Sequence, residues 1–332
     1  MIKIITKFNN RSKYKTILKN RIIYFFLSII FKITFLLINF SFSNNIIIYL
    51  INKIFVDNNN FKVCLCTLAK NENNYIKEYV RYYKNYGVDK IFIYDNNDIN
   101  GERFENILNK YIENKFVEII DYRGKYKIQL EILNHCYKNN YKKYNWFILF
   151  DIDEFIFLKN LSNIKKFLHK NIFVDCKVIF LNEKLHSDNN HIYYKKGMVT
   201  KRFKQTLKNS IAMVKPILRG NIENLTITNN HVIKINMKGC NGFGQKIIIN
   251  RIFMKNPDYN NYYFDHYYFK SSEEYLNKLE KGSCYWGNKR KIDLSWLKKY
   301  FKSNKIILEK INFFEMKTSI NLSIYKKNFN IK

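Results

Sequence analysis

Two aspartates stand two positions apart directly after a long apolar run. The run extends from Trp146 to Phe150, and Asp151, Asp153 and Glu154 follow it. Such a run predicts a buried strand, and residues i and i+2 of a strand project to the same face. Paired carboxylates at the carboxyl end of a buried strand suit Mg²⁺ or Mn²⁺ with a diphosphate. Two isolated aspartates at this spacing are also typical of a solvated acidic turn, so the elements around the motif must distinguish a metal site from such a turn.

Strands and helices alternate around this motif. The pattern predicts strands at 62–68, 90–95 and 117–121, and helices at 75–86, 102–111 and 127–141. Strands separated by helices indicate right-handed βαβ crossovers, hence an α/β domain with a mostly parallel sheet flanked by helices. Asp95 and Asp151 then follow strands of one sheet, at the edge where open α/β sheets bind ligands.

The charge of the chain is strongly basic. Its 332 residues include 58 Lys and Arg against 27 Asp and Glu, a net charge of +31. This indicates either contact with an anionic membrane or polyanionic ligand, or a composition biased towards Lys, Asn, Ile, Tyr and Phe. Zinc-finger spacing and RNP aromatic signatures are absent from the sequence, so no specific nucleic-acid partner is expected. Non-specific nucleic-acid binding remains a separate hypothesis, which a steep salt dependence would mark.

Six cysteines are present, and none forms a C-x-x-C pair that would favour zinc or thioredoxin-type chemistry. Cys64 and Cys66 lie in the first predicted strand and are interpreted as buried, inert core residues. An even number of cysteines allows disulfides in an oxidising compartment, so the sequence leaves the redox setting open.

The amino-terminal segment 1–60 combines basic and apolar residues. Positions 22–40 are almost wholly apolar apart from Lys32, and the residues upstream include seven basic side chains and no acid. Its Ile, Leu and Phe residues contribute about −4 to −8 kcal/mol on the insertion scale, against roughly +3 for a central lysine. We therefore expect an apolar, membrane-associated helix. It either spans the bilayer with a cytoplasmic amino terminus or lies peripherally on the cytoplasmic face.

Six blocks in order resemble glycosyltransferase family 92 and the broader family-2-like glycosyltransferases, over about residues 61–290. The blocks lie at 64–80, 87–97, 146–155, 187–203, 215–231 and 266–282. The resemblance implies a GT-A fold, which is Rossmann-like, with a DxD metal site and inversion at the anomeric carbon. It divides the domain into a nucleotide-sugar half, 61–160, and an acceptor half, 161–290, followed by a helical tail, 291–332. Lys201 departs from the acidic residue usual before Arg-Phe in the family.

The metal site is expected to hold Mn²⁺ or Mg²⁺. Asp153 is predicted as the direct ligand, with Asp151 on the metal or on a ribose hydroxyl. An imidazole can complete an oxygen-rich Mn²⁺ shell, and the resemblance favours His266 for this role, with His231 second. A histidine among aromatic residues is equally typical of a packed, hydrogen-bonded core residue.

Nucleotide contacts are predicted at several polar residues that follow strands. Asp95 suits ribose or base recognition, although an aspartate in Asp-Asn-Asn-Asp is also typical of an Asx turn. Charged side chains near the diphosphate are the remaining candidates, and in so basic a chain a solvated lysine is the alternative for each. The predicted nucleotide-binding residues are Lys70, Asn71, Glu72, Asp95, Asp151, Lys215 and Arg219, with Lys270 as a further candidate.

An inverting transferase needs a group that takes the proton of the acceptor hydroxyl. Asp188 is predicted as this base because it matches the Asp-Asn block of the family, with Glu183 as its competitor and a turn residue as the alternative. The leading hypothesis is a metal-dependent inverting glycosyltransferase. It would move a hexose from a nucleotide-diphosphate sugar to a glycan or lipid-linked acceptor near a membrane. The alternative is a catalytically silent, glycan-binding relative of the same fold.

Overall fold

The computed structural model describes residues 61–207, 213–231, 233, 239–247, 252–282, 294 and 304–328. Contacts divide the chain into two units, 1–60 and 61–332, and the described residues all belong to the second. The apolar segment predicted at 22–40 lies outside them. Among the described residues, no helix is long and apolar enough to cross a membrane.

The first half of the sheet is parallel, as the alternating pattern predicts. Strands β1, β2, β3 and β4 stand in the order β3-β2-β1-β4, and each pair of neighbours is parallel. The crossover helices are α1, α2 and α3. The strands are Val63–Ala69, Lys90–Asp95, Val117–Asp121 and Trp146–Ile148, and the helices are Ile76–Asn85, Glu105–Glu113 and Gln129–Asn140.

The second half of the sheet is mixed, so the prediction of a mostly parallel sheet is correct only for the first half. β7 pairs antiparallel with β4 and with β6, while β9 is parallel to β6 and antiparallel to β5. β8 pairs with β6 off the main path. These strands are β5 (Glu154–Leu158), β6 (Val178–Leu185), β7 (Val214–Arg219), β8 (Gly239–Asn241) and β9 (Tyr262–His266).

Among the described residues, the second half contributes five α-helices, and the first two of them have only five and four residues. They are α4 (Ile164–Leu168), α5 (Val199–Arg202), α6 (Ser272–Glu280), α7 (Asn304–Thr318) and α8 (Ser323–Asn328). A capping box starts α6, because the Ser271 hydroxyl accepts from the Glu274 amide while the Glu274 carboxylate accepts from the Ser271 amide. Buried apolar residues of α6 and α7 form one cluster, so the tail packs onto α6.

Both faces of the parallel half are buried, and β1 shows why. Val63 and Leu65 belong to one apolar cluster, whereas Cys64 and Cys66 belong to another. Alternate residues of a strand point to opposite faces, so these clusters cover the two sides of the sheet. Burial on both sides explains why the sequence of each strand is almost continuously apolar.

Two disulfides link elements of the domain. Cys66 joins Cys136, connecting β1 to α3, and Cys176 joins Cys240, connecting the segment before β6 to β8. Cys64 is free and buried, as expected from the apolar pattern. The interpretation of Cys66 as an inert core residue is wrong, because the same apolar strand faces Cys136 on the helix that covers it.

Reduction of these disulfides is expected to destabilise the domain. The sequence separations are 70 and 64 residues, and loops of that length restrict the unfolded chain by about 4 kcal/mol each in the chain-entropy model. A reductant should therefore lower the melting temperature. Under denaturing, non-reducing conditions, an alkylating reagent should leave Cys66, Cys136, Cys176 and Cys240 unmodified. Alkylation of all four under those conditions would contradict the pairing.

Candidate active site

Asp151 and Asp153 lie on a turn rather than on a strand. β4 ends at Ile148 and β5 begins at Glu154, so the expectation that strand alternation aligns the two aspartates is wrong. The turn is closed by the Glu154 amide donating to the Asp151 carbonyl at 3.1 Å, and by the Asp151 amide donating to Glu154 Oε2 at 2.9 Å. Both aspartates nevertheless line one cavity of about 490 Å³, here called the smaller cavity.

Each aspartate has a lysine partner. Lys215 Nζ lies 2.6 Å from Asp151 Oδ2 and 3.2 Å from Glu154 Oε2, and Lys278 Nζ lies 2.5 Å from Asp153 Oδ2. Burial opposes ionisation of both aspartates. The lysine charges outweigh burial, so the pKa of Asp151 is lowered and that of Asp153 lies well below its usual value. Both carboxylates are therefore ionised at neutral pH.

His266 is placed beside these aspartates by strand pairing. It is the last residue of β9 and pairs with Glu154 across the antiparallel β5–β9 ladder. Its Nδ1 hydrogen-bonds the Glu183 carboxylate, and its Nε2 lies 3.6 Å from Asp153 Oδ1. Burial lowers the pKa of His266, but Asp153 and Glu183 outweigh that effect and raise the pKa to about 10.

Asp153 and His266 are the two predicted metal ligands whose side chains the structure brings within 3.6 Å of each other. Within the described ranges, no group of three or more His, Cys, Asp or Glu side chains could hold a metal ion. Two protein ligands suffice where substrate phosphates supply the remaining oxygens. Glu183 fixes the imidazole through Nδ1 and leaves Nε2 facing Asp153, which is the carboxylate–histidine arrangement of metal sites. The Lys278 ammonium and the protonated imidazole of His266 now supply the positive charge beside Asp153, and a divalent ion would displace the proton on Nε2.

A larger cavity, of about 810 Å³, adjoins the smaller one. The two share a wall that includes Lys70, Glu72, Lys278 and Lys281. Lys281 Nζ hydrogen-bonds the Glu72 carboxylate and donates to the Lys70 carbonyl at 3.1 Å, so the end of α6 is tied to the loop after β1. The structure therefore brings the predicted Lys70, Asn71 and Glu72 to the larger cavity.

Unpaired polar atoms cluster at the carboxyl ends of the first three strands. In the part of the chain that the structure describes, buried side-chain atoms without a hydrogen-bond partner are Thr67 Oγ1, Glu72 Oε2, Asn73 Oδ1, Asn97 Nδ2 and Arg123 Nη1. Thr67 lies in β1 and the other four follow β1, β2 or β3. Since buried polar groups are normally paired, this edge is where a ligand would satisfy them.

Sequence comparison identifies the family of this domain. A model of glycosyltransferase family 92 matches residues 59–278. The chain belongs to glycosyltransferase family 92.

Curated family 92 proteins from plants are similar to part of the domain. One from Ricinus communis is 29% identical over 104 residues, covering 31% of this chain and 18% of that protein. One from Oryza sativa subsp. japonica is 30% identical over 95 residues, covering 28% and 16%. One from Arabidopsis thaliana is 30% identical over 97 residues, covering 29% and 16%. The chain thus spans less than a fifth of the length of each relative.

Among solved structures, TarS of S. aureus is similar with a TM-score of 0.33 and 10% identity, covering 79% of this chain and 46% of TarS. A second TarS structure, of residues 1–349, has a TM-score of 0.33 and 13% identity, covering 82% of this chain and 79% of that one.

Two predicted diphosphate contacts of this family 92 domain line neither of the two cavities. Arg219 pairs in register with Trp146, at the opposite end of β4 from Asp151. It donates to the carbonyls of Cys176 and Phe173 at 2.7 and 2.5 Å, so the geometry gives its assignment as a diphosphate ligand no support. Lys215 is only 1% exposed and contacts Asp151 and Glu154, so it acts as an internal counter-charge for the turn.

Two predicted carboxylates are buried in ion pairs outside both cavities. Asp95 is fully buried, pairs with Arg123, and accepts from the Asn97 amide at 2.9 Å. Asp188 is 1% exposed and pairs with Lys310 of α7. Neither lines the two cavities of the described site. The geometry therefore gives the predicted roles of Asp95 in nucleotide contact and Asp188 as catalytic base no support.

Sequence reasoning missed Lys278, near the end of α6, and Lys281, which caps that helix three positions later; both reach both cavities. Residues at this spacing share a helix face, and this is the signal that could have found them. In a chain with 58 basic residues, that signal does not distinguish a site lysine from a solvated one.

Proposed function

We propose that this family 92 protein is a metal-dependent, inverting glycosyltransferase, and that it moves a hexose from a nucleotide-diphosphate sugar to a glycan or lipid-linked acceptor. The observation that carries the proposal is Asp153 beside His266 Nε2, with Glu183 fixing the imidazole, at a cavity that adjoins a larger one. The two adjoining cavities provide room for a donor and an acceptor. The inverting outcome comes from the family resemblance.

We assign each residue of the site a role according to its charge. Asp153 and His266 would hold Mn²⁺ or Mg²⁺, and the ion when bound neutralises the charge that develops on the leaving diphosphate. Lys278 and Lys281, on the shared wall, are placed to bind phosphate oxygens. Asp151, whose side chain is 40% exposed at the smaller cavity, is placed to accept from a ribose hydroxyl.

We also propose that residues 1–60 associate with the membrane and that the catalytic domain faces an oxidising compartment. The two disulfides support the spanning topology, with a cytoplasmic amino terminus, over a peripheral location on the cytoplasmic face. Structural disulfides persist in oxidising compartments and are rare in the cytosol.

A catalytically silent, glycan-binding relative is the second candidate. The observation that favours it is the pairing of both aspartates with lysines, Asp151 with Lys215 and Asp153 with Lys278. Slow Mn²⁺-dependent hydrolysis of a nucleotide sugar by the purified protein would decide for the transferase. Glycan binding without any donor hydrolysis would decide for the silent relative.

A thermal-shift screen of nucleotide sugars, with and without Mn²⁺, tests the proposal. A ligand at a hundred times its Kd stabilises the folded state by about 2.7 kcal/mol, so one donor should raise the melting temperature by about 5 °C or more. The shift should require Mn²⁺ and vanish in Asp153→Asn. The absence of a shift with every nucleotide sugar, with or without Mn²⁺, would contradict the proposed donor class.

A further inference from the structure

Lys270 combines burial with an unusual backbone. It lies between β9 and α6, lines the larger cavity and is 6% exposed. Its φ is 52°, in the left-handed region that residues with a side chain rarely adopt. Strained backbone of this kind persists where the surrounding structure imposes it, often at ligand sites.

The ammonium of Lys270 forms no ion pair among the described residues, and the carboxylate charges of Glu72 and Asp153, which act on it without contact, do not outweigh its burial. Neither an ion pair nor a hydrogen bond is formed by Nζ within that part of the chain, and it lies 4.2 Å from the centre of the Tyr75 ring. The three lysines of the shared wall each have a carboxylate, by contrast: Lys70 has Asp98, Lys278 has Asp153, and Lys281 has Glu72. Burial lowers the pKa of Lys270.

The acids that line the larger cavity do not fill this gap. Glu274 is held by Arg202 at 2.7 Å and accepts from the Tyr75 hydroxyl at 2.6 Å. Glu72 and Asp98 have the lysine partners already named, Glu102 accepts from the Asn73 amide at 2.9 Å, and Glu280 is exposed. A buried cation without a partner destabilises the folded protein. Together with the backbone strain, this indicates a position built for an anion that enters the cavity.

We propose that Lys270 forms a phosphate subsite in the larger cavity, where its ammonium binds a phosphoryl oxygen of a substrate. A neutral sugar hydroxyl would leave the buried charge uncompensated, whereas a phosphate supplies both charge and acceptor oxygens. That the phosphate belongs to a donor or to a phosphorylated acceptor rests on the proposed function. The existence of the subsite does not depend on that function.

Binding of inorganic pyrophosphate by the full-length protein, measured by calorimetry, tests the subsite. Lys270→Met should weaken binding about tenfold to a hundredfold, the range expected for a hydrogen bond to a charged group, and Lys270→Arg should retain part of it. The matched control is Lys115→Met, since Lys115 is exposed and has a similar φ of 60°. The control should bind pyrophosphate as the wild type does.

Melting temperature without ligand separates binding from a structural role. Removing a buried, unpaired charge should leave the melting temperature of Lys270→Met equal to or above that of the wild type. A lower melting temperature, or pyrophosphate affinity within twofold of wild type, would overturn the proposal.

The source of the phosphate follows from two further probes, uridine diphosphate and a sugar 1-phosphate. A selective loss of uridine diphosphate affinity in Lys270→Met assigns the subsite to the donor, and a selective loss of sugar phosphate affinity assigns it to the acceptor. If pyrophosphate binding depends on Lys270 while the wild type transfers no sugar, the proposed function fails and the subsite stands.

Discussion

Replacing Asp153 by asparagine is expected to reduce sugar transfer by at least about 10³-fold, which corresponds to roughly 4 kcal/mol of transition-state stabilisation. The substitution removes one charge from the pair that Asp153 forms with His266, while keeping the shape of the side chain. The measurement is the rate of transfer by purified protein at saturating Mn²⁺, with circular dichroism and melting temperature to verify folding.

Asp121→Asn is the matched control, because Asp121 ends β3 at the same edge of the sheet and its side chain is 81% exposed. Its Oδ1 accepts from the Arg123 amide at 3.0 Å, and asparagine can keep that bond. The control should transfer sugar at the wild-type rate. A folded Asp153→Asn protein with wild-type transfer would defeat the assignment of the metal site.

The parallel half of the fold was predictable from sequence because each of its strands has a recognisable apolar pattern. Positions 90–95 and 117–121 were predicted as strands, and the structure has strands with the same bounds. Gly87 directly follows the predicted helix 75–86, and its φ of 86° just beyond α1 is typical of a glycine that ends a helix. Here local pattern and tertiary structure agree, since βαβ crossovers join neighbours in sequence.

The second half was not predictable because its pairings are distant in sequence. β9 lies between β6 and β5, and β7 lies between β4 and β6. Apolar patterns do not state which distant strands pair or in which direction. The prediction of a mostly parallel sheet extended the local βαβ pattern beyond the residues that carry it.

The site residues divide in the same way: positions set by local sequence were predictable, and pairings set by tertiary contacts were not. Lys70 and Glu72 follow β1, and a strand end is readable from sequence, so their position at the cavities could be predicted. Which acid meets which base is set by tertiary contacts. Lys310 comes from α7, 122 residues after Asp188, and no local pattern joins them. The assignment of Asp188 as the base rested on the resemblance alone, and the resemblance does not extend to α7.

Breaking the buried pair of Asp188 and Lys310 is expected to destabilise the domain by about 3–5 kcal/mol, because the remaining buried charge loses this counter-charge. The side chains are 1% and 0% exposed, and Lys310 Nζ also lies 3.3 Å from Ser272 Oγ at the start of α6. Asp188→Asn and Lys310→Met should each lower the free energy of unfolding, measured by urea denaturation.

The double variant Asp188→Asn/Lys310→Met should recover most of that loss. Burial raises the pKa of Asp188 and lowers that of Lys310, so both groups are shifted towards their neutral forms despite pairing. The pair therefore does not offset its own desolvation, and a neutral replacement of both partners is close to neutral for stability. An unrecovered double variant would contradict this balance.

Activity of the same double variant decides between the structural and catalytic interpretations of Asp188. If the carboxylate only anchors α7, the refolded double variant should transfer sugar at a rate close to wild type. If Asp188 is the general base, its loss should cost about 10²–10⁴-fold even where stability is restored. The structure favours the first result, because Asp188 lines neither described cavity and its Oδ1 already accepts from the Asn190 amide at 3.0 Å.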